Sequence, residues 1–168
     1  MPARVLKIVN ENLIKWSIGF MSVIVVQITF LRYFALILVP NTRVQPDLVL
    51  LLLFFFGTRH SQIMTTVTGF FVGFLLDAFS GGMIGMHALT KTVAGFIIGY
   101  MPEAHKIQKL VQFSVFLFIV ILLHDILFNA IYTINTEFNF WRLLFVYSLP
   151  SSIYTLFIGC LIFYSQKR

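Results

Sequence analysis

Four ionisable residues stand out within the long apolar stretches of the 168-residue chain. Asp77 ends one stretch, and Lys91 lies within the next. His124 and Asp125 are adjacent in a third stretch. Charged groups in such surroundings need a partner or a polar cavity. The chemistry open to them is ion pairing, binding of a polar ligand, or acid–base catalysis within a membrane.

If successive stretches cross a membrane in opposite directions, Asp77, Lys91 and Asp125 reach a similar depth near the outer face. We therefore predict a polar cluster in which an Asp–Lys pair offsets part of the cost of burial. Its role is open at this point. It is either a ligand site, a partner interface or a structural salt bridge.

Metal and cofactor chemistry find little support in the sequence. His87 and His124 have no second histidine or carboxylate at i+3 or i+4, the spacing that a zinc site on a helix needs. Cys160 is the single cysteine and has no partner for an intramolecular disulfide. The chain also lacks a nucleophile–base pair and a dinucleotide fingerprint. We predict a protein that is not an enzyme and takes no cofactor.

The elements that position these residues are predicted to be membrane-spanning helices. Hydrophobic residues make up 59% of the chain and charged residues 11%, against about 25% charged in ordinary soluble domains. A soluble protein of this composition would expose large apolar patches. The net charge of +6 indicates cytoplasmic loops rather than nucleic-acid binding.

We predict one all-α polytopic domain, a compact bundle of about six transmembrane helices. The predicted spans are residues 13–31, 47–57, 62–79, 83–100, 110–134 and 143–164. The second is only about 17 Å long as a helix, so it is either a short span shielded by its neighbours or a re-entrant segment. Pro46 suits the start of a helix, and Asp47 then lies near the positive end of the helix dipole.

The distribution of Lys and Arg predicts that both termini are cytoplasmic. With six spans, the cytoplasmic side carries eight of these residues: Arg4, Lys7, Lys15, Arg59, Lys106, Lys109, Lys167 and Arg168. The outer side carries three: Arg32, Arg43 and Arg142. A non-crossing second stretch gives a weaker bias, with the N-terminus outside. The first apolar stretch is interpreted as an uncleaved signal anchor.

Small residues recur at helical spacing on the third and fourth predicted spans. One stripe contains Thr65, Gly69, Gly73 and Asp77, and the other contains Gly85, Ala88, Thr92, Gly95 and Gly99. Such stripes let helix backbones approach closely in a membrane. We predict that the two spans pack together through these stripes. An interface with another protein is the alternative.

Glycines also mark the turn between these two spans, at Gly81, Gly82 and Gly85 after Ser80. They permit positive φ and a tight reversal, so Gly82→Leu is expected to disrupt the turn. In the sixth span, Pro150 predicts a kink. Ser151 and Ser152 are expected to hydrogen-bond the carbonyl groups that the proline frees.

The segment from Pro46 to Gly99 resembles the bacterial rod-shape-determining MreD family. The matching residues are Pro46-Asp47-Leu48, Arg59, Gly69, Gly73, Asp77, Ser80-Gly81-Gly82, Gly85 and Ala88-Leu89. Chain length and span number also look like that family. Family members often have a proline after the two glycines, where this chain has Met83. No motif of the family is matched to Lys91, His124 or Asp125.

The resemblance implies a non-enzymatic scaffold subunit of the cell-elongation machinery in the bacterial cytoplasmic (inner) membrane. Its implied partners are MreC, the actin-like MreB, the glycan polymerase RodA with its transpeptidase, and the lipid bilayer. The implied role is to bind MreC and help control peptidoglycan synthesis. The implied fold is similar to that of the substrate-binding subunits of energy-coupling-factor transporters. Candidate structural or interface residues are Pro46, Asp47, Arg59, Gly69, Gly73, Asp77, Ser80, Gly81, Gly82, Gly85, Ala88, Lys91, Gly95, Gly99 and Asp125.

Two other functions compete with the scaffold. The first is a substrate-binding membrane subunit of a vitamin or small-molecule transporter, with the polar cluster as its pocket. The second is a lipid-handling enzyme, for which only Asp77, Lys91, His124 and Asp125 would be available as acid–base groups. The sequence leaves open the oligomeric state, the partner-binding face and the crossing of the second stretch.

Overall fold

The computed structural model describes residues 2–29, 36–39, 42–81, 83–100, 110–133 and 140–166. The helices are α1 Pro2–Thr29, α2 Leu48–Gly57, α3 Gln62–Ser80, α4 Met86–Gly99, α5 Leu110–Tyr132, α6 Phe140–Arg142 and α7 Leu149–Gln166. A π-helical segment, Leu143–Ser148, joins α6 to α7. Strands β1 Leu36–Val39 and β2 Thr42–Val44 pair antiparallel. The predicted helical architecture is therefore confirmed, and this small ribbon is an addition to it.

Three helical stretches are long and apolar enough to cross a membrane: Gln62–Ser80, Leu110–Tyr132 and Leu144–Ser165. Two shorter apolar stretches, Ile14–Thr29 and Leu48–Gly57, accompany them in the described part of the chain. Helices thus lie at the predicted apolar stretches. The first helix begins earlier than expected, at Pro2.

The short helix α2 lies in the centre of the bundle. Eight of its ten residues are buried, among them Val49, Leu50, Leu53 and Phe54, each with no exposed surface. Helices α1, α3, α4 and α7 all contact it. Surrounding helices instead expose large apolar side chains, such as Phe71 at 60%. This distribution places apolar residues both in the core and on the outer surface, as expected for a protein solvated by lipid.

The most extensive contact in the described residues is between α3 and α4. The predicted glycine stripes form it. A Cβ at Gly95 would lie 2.7 Å from the Thr65 carbonyl oxygen, and one at Gly69 or Gly73 would clash with the backbone of α4. A Cβ at Gly99 would lie 2.5 Å from the Cα of Gln62. The backbones of α3 and α4 are therefore in direct contact at these glycines, where a Cβ would not fit.

Two glycines of the connecting turn adopt left-handed backbone conformations, Gly81 at φ 69° and Gly85 at φ 99°. The predicted need for glycine at these two positions is confirmed, since other residues rarely adopt such angles. Gly82, and with it the expectation for Gly82→Leu, lies outside the described residues. We use the name α3–α4 hairpin for these two helices and their turn.

The irregularity expected at Pro150 takes the form of the π-helical segment just before it. The N–H of Leu149 donates to the carbonyl of Leu144, five residues back. A π turn accommodates a residue that lacks an N–H and crowds the preceding turn. The role predicted for the two serines is wrong. Ser151 donates to the carbonyl of Gln45 at 3.3 Å, and Ser152 donates to the Asp125 carboxylate at 3.1 Å.

Candidate functional site

The candidate site contains an ion pair between Lys91 and Asp47. Lys91 is in α4 and has no exposed surface. Its ammonium group donates to Oδ2 of Asp47, and its Nζ lies 3.4 Å from Nε2 of His124. The Lys91 side chain has no exposed surface and that of Asp47 has little, so this is a buried ion pair rather than a surface contact.

Asp47 combines the ion pair with capping of α2. Its Oδ1 accepts the N–H of Leu50 at 2.8 Å, and its own N–H donates to Oγ1 of Thr155 in α7 at 3.2 Å. Gln27 of α1 donates to the same carboxylate at 3.4 Å and accepts the N–H of Val49 at 3.0 Å. The N-terminus of the central helix is thereby fixed to α1 and α7 as well as to α4.

His124 relays the network from Lys91 to Asp125. Nε2 of His124 lies 3.4 Å from Nζ of Lys91 and 3.8 Å from Oδ2 of Asp47. Nδ1 donates to Oδ1 of Asp125 at 3.1 Å. Oδ2 of Asp125 accepts from Ser152 in α7. We call Asp47, Lys91, His124, Asp125 and Ser152 the charged network.

A cavity of about 570 Å³ opens beside this network. The C-terminal ends of α1 and α3, the N-terminal ends of α2 and α4, the C-terminal half of α5 and the segment around Pro150 all line it. Asp47, His124 and Asp125 form part of its wall, whereas Lys91 lies behind them. Ten of its fifteen lining residues carry polar or charged side chains, so the cavity is more polar than most small-ligand sites.

His87 supplies an unusual feature of the cavity wall. Its ring stacks on Phe128, with the two centroids 4.8 Å apart. Its Nδ1 is buried and has no hydrogen-bond partner among the described residues. A buried polar atom without a partner costs about 1–3 kcal/mol. Because this atom has almost no accessible surface, His87 contributes other parts of its side chain to the cavity wall.

In the part of the chain that the structure describes, Asp77 makes no hydrogen bond to the charged network and is not the carboxylate that pairs with Lys91. Its Oδ2 accepts the N–H groups of Gly85 at 2.9 Å and Ala88 at 3.0 Å, and its Oδ1 accepts that of His87 at 2.9 Å. These donors are the free N–H groups at the start of α4. Asp77 is therefore a cap that α3 provides for the following helix.

Asp47 is the carboxylate that the sequence argument missed as the partner of Lys91. It precedes Lys91 by 44 residues, and its position after Pro46 indicated only a helix start. No signal in the sequence separated Asp47 from Asp77, because both carboxylates cap helices. Lys91 does form an ion pair with an aspartate, but that aspartate is Asp47. Asp125 joins the network through His124.

The remaining predicted residues fall into separate places. Pro46 and Ser80 line the cavity. Ala88 is buried against Gly73. The guanidinium carbon of Arg59 lies 5.9 Å from the centre of the Trp16 ring, remote from the cavity. Among the described residues, no three His, Cys, Asp or Glu side chains are grouped to hold a metal ion.

Comparison with known proteins identifies the family. The family model described as rod shape-determining protein MreD matches residues 11–165. No curated protein and no solved structure matches the chain. The match covers almost the whole chain and includes the charged network, the cavity and the α3–α4 hairpin. The apolar helices agree with an integral membrane protein. The chain belongs to the MreD family of rod shape-determining proteins.

Proposed function

We propose that this protein is a non-enzymatic scaffold subunit of the rod-shape machinery that binds MreC and helps control peptidoglycan synthesis. The family match over residues 11–165 carries the proposal. MreB, RodA and its transpeptidase belong to the same proposed assembly. The short connections between helices leave little chain for a soluble domain, so contacts with partners would be made in the membrane or at its faces.

We further propose one polytopic domain with six crossings of the cytoplasmic membrane and both termini in the cytoplasm. The burial of α2 supports a crossing by this short helix, because its neighbours shield it from lipid along its length. The cavity supports alternating directions, because C-terminal ends of α1 and α3 meet N-terminal ends of α2 and α4 there. The bias in Lys and Arg then orients the cavity outward.

The turn of the α3–α4 hairpin is our candidate docking point for MreC. Apolar side chains around the positive-φ glycines are strongly exposed, with Ile84 at 80%, Phe79 at 61% and Met83 at 59%. Because the turn lies at an end of the bundle, these side chains meet the membrane boundary, where water competes with lipid. A partner's apolar segment would remove them from water.

The test is crosslinking of native membranes, purification of the tagged chain and identification of its partners by mass spectrometry. Recovery of MreC and the elongation synthase is expected. Ile84→Ser should lower the yield of MreC several-fold. Ile63→Ser is the matched control, because Ile63 is equally exposed at 77% but lies at the opposite end of α3. Normal cell shape after depletion of the protein would refute the scaffold role.

The cavity favours a second candidate, a substrate-binding subunit of a small-molecule transporter. This function predicts saturable uptake and co-purification of an ATPase pair with a transmembrane coupling subunit. The same purification therefore separates the two candidates. A lipid-handling enzyme would instead lose function on substitution by alanine of the acid–base groups Asp77, Lys91, His124 and Asp125 without loss of folding.

A further inference from the structure

We propose that the cavity beside the charged network binds an ammonium group, carried by a phospholipid headgroup or by a free amine. The inference concerns the cavity alone and holds whether or not the scaffold role does. It rests on the charge of the network, on the acceptors in the wall and on the aromatic rings around them.

The charge of the network favours a cation. Lys91 is its one ammonium group, and Asp47 and Asp125 are its two carboxylates. His124 lies between the two carboxylates, with Nδ1 3.1 Å from Oδ1 of Asp125 and Nε2 3.8 Å from Oδ2 of Asp47. The carboxylates outnumber the ammonium group by one, and a bound cation would offset this difference.

The bound cation would lie beside Asp125 rather than beside Asp47. Asp47 already pairs with Lys91, which lies behind the wall with no exposed surface. The Asp125 carboxylate accepts from the His124 ring and from the Ser152 hydroxyl. No lysine or arginine is among the residues that line the described cavity. An anion would therefore face carboxylates, whereas a cation would complete a second ion pair.

Acceptors suited to an ammonium group lie on the same wall. Asn129 uses its Nδ2 to donate to the Asp125 carbonyl at 2.8 Å and to Ser148 at 3.1 Å, which leaves its amide oxygen as an acceptor. His87 lines the cavity, and its ring stacks on Phe128. The Asp125 carboxylate and the Asn129 amide oxygen are two acceptors for the N–H donors of a primary ammonium group.

Aromatic rings complete the environment. Phe79, Phe128 and Tyr147 line the cavity. The face of an aromatic ring attracts a cation, most strongly where water is excluded. Acidic groups framed by aromatic rings form the usual surroundings of bound organic cations. In the six-span arrangement proposed above, the cavity lies among helix ends and therefore near the depth of lipid headgroups, within reach of both lipids and dissolved amines.

The first experiment is titration of the detergent-purified full chain with ethanolamine, followed by calorimetry and by thermal unfolding. Ethylene glycol has the same shape without the ammonium group and serves as the matched ligand. Saturable binding of ethanolamine alone is expected. Asp125→Asn keeps the shape and removes the charge, and it should weaken binding about tenfold or more. Ser114→Ala, on α5 outside the cavity, should leave binding unchanged.

A second variant keeps the test decisive if Asp125→Asn does not fold. Phe128→Leu retains an apolar side chain and removes the ring, so it should weaken ethanolamine binding about two- to fivefold. The second experiment distinguishes the sources of the ammonium group. Native mass spectrometry from vesicles of equal phosphatidylethanolamine and phosphatidylglycerol should show selective retention of phosphatidylethanolamine if a headgroup is bound.

The outcomes differ clearly. Retained phosphatidylethanolamine that is lost in Asp125→Asn assigns the site to a lipid headgroup. Saturable ethanolamine binding without lipid retention assigns it to a soluble amine. The proposal is overturned if neither probe binds, if ethylene glycol binds as well as ethanolamine, or if folded Asp125→Asn binds like the unsubstituted protein. Cell shape and recovery of MreC test the scaffold role separately.

Discussion

The α3–α4 hairpin and the charged network stabilise one bundle in different ways. In the hairpin, glycines bring two backbones into contact, and Asp77 accepts three backbone N–H groups. In the network, Asp47 and Lys91 form an ion pair whose hydrogen bonds continue to α7 through Ser152. The hairpin joins neighbours in the sequence, whereas a single bond of the network joins residues 44 positions apart.

The comparison also separates two uses of a buried carboxylate. Asp77 is surrounded by backbone donors and needs no cation. Asp47 receives the N–H of Leu50 and, in addition, the ammonium group of Lys91. A substitution in the hairpin therefore removes a backbone packing contact or the cap of α4. A change in the network leaves a charge unpaired in an apolar interior, which is the more expensive defect.

The largest effect is expected from Lys91→Met. Methionine fills similar space but leaves Asp47 as a buried, unpaired carboxylate. We expect a loss of about 3–5 kcal/mol in the free energy of unfolding, measured by denaturation of the detergent-purified protein. Adding Asp47→Asn should restore much of the loss, because asparagine is neutral and still caps α2. Equal free energies of unfolding for Lys91→Met and the unsubstituted protein would show that an unpaired Asp47 carboxylate does not destabilise the bundle.

The next largest effect is expected in the hairpin, from Gly73→Ala. Its Cβ would meet the backbone of His87 and Ala88, and backbone cannot move aside as a side chain can. A loss of about 1–3 kcal/mol is expected from overpacking. Gly19→Ala is the matched control, since the nearest atom to its Cβ, Cδ2 of Leu52, is 4.0 Å away. Equal stability of the two variants in thermal unfolding would contradict the backbone contact.

Much of the hairpin could be predicted from the sequence. Its determinants are local: small residues every four positions on each helix, and glycines where the chain reverses. Gly69, Gly73 and Gly95 carry the contact that their spacing indicates. The apolar stretches likewise indicated where the helices lie, because hydropathy is summed over many residues and tolerates single exceptions.

The network could not be predicted in the same way, because its partners meet only in the folded bundle. Nothing near Asp47 distinguishes a cap that also receives Lys91 from a cap alone. Asp77 looked like the better partner, since it lies 14 positions before Lys91 in the adjacent helix. Its three hydrogen bonds from backbone N–H groups depend on the geometry of the turn. The π-helical segment before Pro150 could not be predicted from the sequence either, because a proline indicates an irregularity in a helix but not its type.

A smaller effect is expected from Asp77→Asn, which sharpens the comparison of the two carboxylates. Both oxygens of Asp77 accept backbone N–H groups, and an amide NH₂ cannot replace one of them. We expect a loss of about 1–2 kcal/mol in the free energy of unfolding. Asp47→Asn should cost more, because it leaves Lys91 unpaired. The reverse order in parallel denaturation curves would show that capping outweighs ion pairing here.

The smallest effect is expected at the edge of the network, from Ser152→Ala. The hydroxyl of Ser152 donates one hydrogen bond to Asp125, which retains its bond from His124. Hydrogen bonds between helices in membrane proteins contribute about 0.6 kcal/mol on average, and a loss of that size is expected. A double-mutant cycle with Asp125→Asn measures the coupling directly, with Ser151→Ala as the neighbouring control. Coupling as large as the effect of Lys91→Met would mean that Asp125, rather than the Asp47–Lys91 pair, is the energetic centre of the network.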